Sequence, residues 1–182
     1  APTFRDARRG VWIVEAGLER LASELARLGN SLLVAMHPVE AQLIPQLQSA
    51  LPTARFVTPR TDLYPLMREV DVLITDYSSI MFDFLLLDRP IVLYRPDHED
   101  YVLRSRQLYD QKLLQSTPGP VSTTINQLLK LLRQRDASGS QHAPARTALR
   151  GQLFDQADGQ ASERLNALLL GEIELALQGP KA

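Results

Sequence analysis

The sequence contains no cysteine, and this absence excludes disulfide bonds, thiolate metal sites and a cysteine nucleophile. It also lacks a strong excess of either charge, because 20 basic and 21 acidic residues give a net charge of −1 at pH 7. A chain with this balance has no global attraction for nucleic acid or for anionic lipid. Any affinity for phosphate must therefore come from a local site.

Long apolar runs are absent as well. The longest, from Ile80 to Leu87, is interrupted by Asp83 and is far shorter than the ~20 residues that a membrane-spanning helix needs. No Walker loop, GxGxxG, GxSxG or HExxH motif is present, so kinase, dehydrogenase and serine-hydrolase functions lose their usual support. The three histidines have no metal-ligand spacing, and we expect no metal held by protein ligands.

What the sequence does contain is an alternation of short apolar runs and helical patterns. Its 182 residues are enough for one domain with a sizeable core. The alternation predicts an α/β fold, with a parallel sheet flanked by helices and joined by right-handed crossovers. We predict strands at 31–36, 55–58, 72–75 and 91–94, helices at 15–28, 40–50, 61–70, 78–87, 121–133 and 161–177, and a surface loop at 136–145. In the last helix, Leu165, Leu168, Leu169 and Ile173 form the expected core stripe.

Polar side chains follow three of the predicted strands. His37 follows the first, the run Asp76-Tyr77-Ser78-Ser79 follows the third, and Arg95 follows the fourth. In an open parallel sheet, ligands bind beyond the carboxyl ends of the strands. The sequence therefore predicts a ligand site at this rim.

Ser78 and Ser79 stand where a helix should begin. Free backbone N–H groups and the positive end of the helix dipole favour an anion there, and two hydroxyls add donors for phosphate oxygens. The competing interpretation is that Ser78 only caps the helix. The polar residues at the other strand ends favour the anion site.

Two further side chains belong to the predicted site. His37 either has a structural role or donates to a phosphate and transfers a proton near neutral pH, and its place at a strand end favours the second role. Asp83 lies one helical turn after Ser79 on the same face. A carboxylate repels phosphate, so Asp83 either bonds a nearby structural partner or orients the ligand without touching its phosphates.

Taken together, these residues resemble the CDP-glycerol glycerophosphotransferase family, the polymerases of teichoic acid and related capsule polymers. Four stretches carry the resemblance, in the family's order and approximate spacing. They are APTFRD at 1–6, HP at 37–38, TDYSSIMFDFLLLDRPIVLYRPD at 75–97 and FDQADGQASER at 154–164. The long central stretch is the most specific of the four.

The resemblance implies a Rossmann-like fold that forms one half of a GT-B enzyme. Residues 1–182 would be a single nucleotide-donor-binding domain that begins inside a strand, with the amino-terminal acceptor half absent. It also implies roles for seven residues. The donor diphosphate would be contacted by His37, Ser78 and Ser79, with Arg5 nearby. The pocket would be shaped by Asp83, and the donor would be closed in from the last helix by Ser162 and Arg164.

The implied reaction moves glycerol phosphate, or a similar polyol phosphate, from a CDP-linked donor to a growing cell-surface polymer and releases CMP. This reaction needs no cofactor. The resemblance also implies that the protein lies in the cytoplasm, at the inner membrane face, and that His37 stabilises charge on the phosphates. We expect the isolated chain to bind nucleotide weakly without turnover. Two alternatives stay open: a nucleotide-sugar glycosyltransferase or 2-epimerase, and a non-catalytic nucleotide-binding or assembly module.

Overall fold

The computed structural model describes residues 17–58, 60–98, 117–134 and 139–177. They form the predicted α/β fold, and every strand pairing is parallel. The strands are β1 (Leu32–Ala35), β2 (Ala54–Val57), β3 (Leu73–Thr75), β4 (Ile91–Tyr94) and β5 (Val121–Ser122). The helices are α1 (Leu18–Arg27), α2 (Ile44–Ala50), α3 (Leu63–Met67), α4 (Ile80–Phe84), α5 (Ile125–Arg133), α6 (Ala143–Leu153) and α7 (Ala161–Leu177). Short 3-10 helices, Pro38–Leu43 and Leu85–Leu87, precede α2 and follow α4.

The described strands form two parallel sheets. In the first, β1 pairs with β2, from Leu32 opposite Ala54 to Ala35 opposite Val57. In the second, β4 lies between β3 and β5. Between β1 and β3 runs a crevice of about 1080 Å³, which is also lined by apolar side chains of α1 and α3. This crevice is lined by none of the predicted site residues.

The main core forms where α1 and α5 pack against β1 and β4. Leu21, Val34 and Leu128 are buried there. All four residues of β4 are buried, as expected of a parallel strand covered on both faces. The core therefore fixes the position of the carboxyl ends of the strands, where the polar residues lie.

Prolines mark the helix starts that follow β1. Pro38 begins the first 3-10 helix, and Pro45 lies in the first turn of α2. A proline is tolerated there because the first turn has no intrahelical partner for its missing N–H. The chain therefore turns immediately after His37, which keeps that side chain at the end of the strand.

Two elements between 117 and 153 differ from the sequence prediction. The predicted helix at 121–133 begins only at Ile125, where the Thr124 hydroxyl caps it by accepting from the Gln127 N–H at 3.3 Å, and a short strand precedes it. Part of the predicted loop belongs to α6. This helix is held by Arg146, which is 4% exposed and pairs with Asp88 at 3.2 Å. A tertiary ion pair of this kind leaves no local pattern in the sequence.

The chain divides into two compact units, 1–150 and 151–182, and the prediction of one domain across 1–182 stays a prediction. Helix α7 in the second unit has the predicted bounds. Its expected core stripe is not buried, however: Leu165, Leu168, Leu169 and Ile173 are each more than half exposed. The periodicity predicts the helix correctly, but it does not identify a partner surface within the described residues.

Gly119 provides a test of the packing beside β4. A Cβ atom at this position would lie 1.7 Å from the Ile91 carbonyl oxygen, so the backbone of β4 would have to shift. We expect Gly119→Ala to lower the free energy of unfolding by about 2–4 kcal/mol, in the range of strongly strained sites. Urea denaturation followed by circular dichroism measures this. In the control, Gly151→Ala, the new Cβ meets no described atom within 4 Å outside its own helix backbone, and the change should raise helix stability by ~0.5–1 kcal/mol. Equal effects of the two substitutions would contradict the predicted clash.

Candidate functional site

A cavity of about 270 Å³ lies where β1 ends and α4 begins. Four of the seven predicted site residues line it together: His37, Ser78, Ser79 and Asp83. The remaining lining comes from the end of β1 and from α3. Residues 37 and 78–83 are far apart in the sequence, and the fold brings them to one cavity.

His37 is held in a defined orientation at the cavity. Its Nδ1 accepts a hydrogen bond from the Val39 N–H at 3.3 Å, which caps the 3-10 helix. In the neutral imidazole this bond places the ring proton on Nε2. The residue as a whole is exposed. Its geometry thus suits hydrogen-bond donation to an anion.

Ser78 and Ser79 present their hydroxyls at the start of α4 without capping it. The cap position is Ser79, and its side chain makes no capping hydrogen bond. The simple capping interpretation is therefore not what the structure shows. Helix α4 is only five residues long, shorter than the predicted 78–87, so its dipole contributes less than expected. The hydroxyls are the main polar feature of this turn.

Asp83 is half-buried and lies on the cavity side of α4, one turn after Ser79. A carboxylate at the cavity wall disfavours close approach of a phosphate to that part of the wall. Its position agrees with an orienting role, which stays a prediction.

The first two polar residues of the Asp76–Ser79 turn serve a different purpose from the last two. The Asp76 carboxylate is buried and accepts from the Tyr77 N–H at 2.6 Å. The Asp76 carbonyl accepts from the Arg95 Nε at 3.2 Å. The Tyr77 hydroxyl is hydrogen-bonded to His98 Nδ1 at 2.5 Å, and the two rings stack with centroids 6.1 Å apart. Asp76 and Tyr77 thus anchor the turn to the end of β4, while Ser78 and Ser79 face the cavity.

Arg95 is the central residue of this anchor. It is 7% exposed, and its guanidinium carbon lies 4.7 Å from the centre of the Tyr77 ring, in the geometry of a cation–π contact. Burial lowers the pKa of the Arg95 guanidinium, and the charges of Tyr77 and Asp76 oppose that shift. Its polar position was visible in the sequence, but its burial and its contact with Tyr77 depend on tertiary packing.

Other residues of the long central motif hold the fold together. Arg89 donates from Nη1 to the carbonyls of Arg68 and Val70, both at 2.7 Å, and so ties the turn after α3 to the start of β4. Asp88 adopts a left-handed conformation with φ of 47° and pairs with Arg146. The motif therefore combines residues that line the cavity with residues that stabilise its surroundings.

The remaining three predicted residues are not brought to the cavity by any described contact. Arg5 lies outside the described residues. Ser162 and Arg164 belong to the second unit, at the start of α7. Arg164 donates from Nη1 to both carboxylate oxygens of Asp158, at 2.9 and 2.8 Å. The roles of all three in donor binding stay predictions.

Metal-ligand clusters and membrane-spanning helices are two further features to consider. Among residues 17–58, 60–98, 117–134 and 139–177, no group of three His, Asp or Glu side chains is placed to hold a metal ion. The same part of the chain has no helix that is long and apolar enough to cross a membrane.

Parallel strands flanked by helices, with a serine- and histidine-lined cavity at their carboxyl ends, place this chain in the α/β class. Residues 1–171 match the family described as CDP-Glycerol:Poly(glycerophosphate) glycerophosphotransferase, and the chain belongs to that family. The resemblance noted in the sequence is thereby confirmed.

Individual relatives are similar over different portions of the chain. A teichoic acid glycerol-phosphate transferase of Staphylococcus aureus is 38% identical over 106 residues, which are 58% of this chain and 26% of that protein. A teichoic acid poly(glycerol phosphate) polymerase of Staphylococcus epidermidis is 28% identical over 96% of this chain and 24% of its own length. The chain thus spans about a quarter of the length of these relatives.

Solved structures support the same fold. The wall teichoic acid polymerase TagF superimposes with a TM-score of 0.79 at 27% identity, covering 98% of this chain and 43% of TagF. A histidine-to-asparagine variant of TagF soaked with CDPG has a TM-score of 0.76 at 27% identity, over 98% of this chain and 42% of that one.

The hydrogen bond between Tyr77 and His98 can be tested by a double-mutant cycle. Tyr77→Phe removes the hydroxyl but keeps the ring over Arg95, so we expect a loss of about 0.5–1.5 kcal/mol in the free energy of unfolding. His98→Ala should cost less in the Tyr77→Phe background than in the wild type, because the shared bond is already lost. Urea denaturation measures all four proteins. His142→Ala is the control and should change stability by less than ~0.5 kcal/mol. Additive losses would show that the two side chains are not coupled.

The contact between Asp158 and Arg164 predicts a specific titration. The Gln160 backbone N–H, followed by the Arg164 guanidinium, lowers the pKa of the Asp158 carboxyl below its ordinary value of 3.8. A lowered pKa adds stability that is present above the unfolded value and is lost as the pH falls through the folded value, hence below about pH 4. We expect Arg164→Met to raise the NMR titration midpoint of Asp158 towards 3.8, and Arg164→Lys to raise it less. A midpoint that does not move in Arg164→Met would contradict the ion pair.

Proposed function

We propose that this chain binds the nucleotide donor in a transferase that moves glycerol phosphate, or a similar polyol phosphate, from a CDP-linked donor to a growing cell-surface polymer. The single observation that supports this most is the cavity that His37, Ser78, Ser79 and Asp83 line together in a member of this family. CMP is the leaving group of the proposed reaction.

The polar groups of the cavity suit a diphosphate. Two serine hydroxyls and the imidazole of His37 line it, and hydrogen bonds to charged acceptors are stronger than bonds between neutral groups. In the proposed reaction, an acceptor hydroxyl attacks the polyol-bearing phosphorus while negative charge grows on the oxygen that departs with CMP. Catalysis of such a transfer rests on positioning and on charge stabilisation. His37 supplies the charge stabilisation on the donor side.

The polyol carried by the donor is glycerol or ribitol in the relatives. Proteins described as acting with glycerol phosphate and with ribitol phosphate both match this chain, with identities of 38% and 32% over just over 100 residues. CDP-glycerol and CDP-ribitol share the CDP group, so the cavity residues named above serve either donor. The acceptor polymer, its binding by polypeptide outside these 182 residues, and association with the inner membrane face belong to this proposal as well.

Calorimetric titration with CDP-glycerol and CDP-ribitol tests the proposal directly. We expect Ser79→Ala and His37→Ala to weaken donor binding by about 10- to 150-fold each, because each removes a hydrogen bond to a charged group worth ~1.5–3 kcal/mol. Ser49→Ala is the matched control, since Ser49 lies outside the cavity lining and its hydroxyl donates to the Pro45 carbonyl in α2. Its donor affinity should equal that of the wild type.

Each alternative function makes a different prediction in the same titration. Binding of UDP-sugars in place of both CDP-polyols would favour a glycosyltransferase or 2-epimerase. A wild-type chain that binds no nucleotide would favour a non-catalytic assembly module and would contradict the proposal.

A further inference from the structure

The two walls of the cavity differ in chemistry. One wall carries the polar groups of His37, Ser78, Ser79 and Asp83. The other wall is formed by α3, which adds Leu63, Tyr64 and Met67 to the lining. A nucleoside diphosphate has the same division, since its phosphates are anionic and its base is flat and largely apolar on both faces.

Tyr64 is the exposed member of the α3 wall. Its side chain is 63% exposed, whereas Met67 on the same helix is 8% exposed. Within the described residues, the Tyr64 ring has no stacking partner, and its hydroxyl has no hydrogen-bond partner. Core packing therefore does not explain why an aromatic ring stands here.

The backbone beneath Tyr64 is nevertheless firmly held. Asp62 caps α3 by accepting from the Tyr64 N–H at 3.0 Å, and Pro65 follows directly and restricts its own φ. A ring on a fixed backbone loses little conformational freedom when a flat ligand stacks on it, because tyrosine has only two side-chain torsions to restrict. The structure thus holds an exposed aromatic ring at the edge of a phosphate-compatible cavity.

We propose that Tyr64 is the stacking surface for the base of the nucleotide donor, while His37, Ser78 and Ser79 hold the phosphates. This inference rests on the proposed function and extends it to the base. The cavity, at about 270 Å³, is smaller than the ~300–1,000 Å³ usual for ligand sites, so it covers part of a nucleotide donor and leaves the rest outside. Stacking at its rim recruits binding surface that the enclosed volume does not provide.

The test compares two probes, CDP and inorganic pyrophosphate, by calorimetry. We expect Tyr64→Ala to weaken CDP binding by about 5- to 150-fold, the ratio that stacking of one base on an aromatic ring gives. Binding of pyrophosphate, which has no base, should not change. Ser79→Ala, by contrast, should weaken both ligands, because it removes a phosphate contact. Tyr64→Phe keeps the ring and should restore most of the CDP affinity that Tyr64→Ala loses.

Leu86→Ala is the control for loss of an exposed apolar side chain. Leu86 is 44% exposed and lies outside the cavity lining, so both affinities should stay at wild-type values. Thermal melting of Tyr64→Ala checks the fold, and because the side chain is exposed the melting temperature should change little.

The outcomes separate this inference from the proposed function. Wild-type CDP affinity in Tyr64→Ala would overturn the stacking role and leave the proposed function standing. An equal loss of CDP and pyrophosphate binding would also overturn it, because it would indicate a distorted phosphate site. A wild-type chain that binds neither CDP nor a CDP-polyol would overturn both.

Discussion

The anchoring of the β3–α4 turn to the end of β4 is the constraint on which the cavity depends. Asp76 leaves β3 and is immediately bound by its own side chain to the Tyr77 N–H and by its carbonyl to Arg95. These bonds fix the chain direction before Ser78 and Ser79 are reached. Because both hydroxyls follow within three residues of the buried Asp76, they have little freedom to move away from the cavity.

The same constraint explains why four polar residues, 76–79, stand between the apolar strand β3 and helix α4. A single capping residue would satisfy the helix, but it would not hold the turn against the neighbouring strand. Asp76 and Tyr77 do the holding, and the two serines remain available because neither of their side chains is needed as the helix cap. A strand that ended in a loop without these contacts would present the same hydroxyls with less precise geometry.

Much of this arrangement was predictable from the sequence, since it follows from strand patterns. The run at 91–94 is uniformly apolar and forms β4 with the predicted bounds, and His37 and Ser78 follow strands that are parallel by the logic of strand–helix alternation. The features that sequence reasoning missed depend on partners distant in the chain. Helix α6 is held by the Arg146–Asp88 pair, 58 residues apart, and its local pattern alone is weak. Tyr64 had no sequence signal at all, because its exposure at a cavity only exists once α3 has been placed against the end of β1.

Arg95 holds the β3–α4 turn in place at a cost in folding stability. Its Nη2 atom is buried without a hydrogen-bond partner within the described residues, and an unsatisfied buried donor costs about 1–3 kcal/mol. An apolar side chain would avoid that cost, but it would leave the Asp76 carbonyl without the Nε donor and the Tyr77 ring without its cation. Both groups belong to the turn that carries the serines. Arg95 therefore lowers stability locally, but its other contacts fix the turn whose serine side chains face the cavity. Unsatisfied buried groups of this kind are expected where a site has to be held in place.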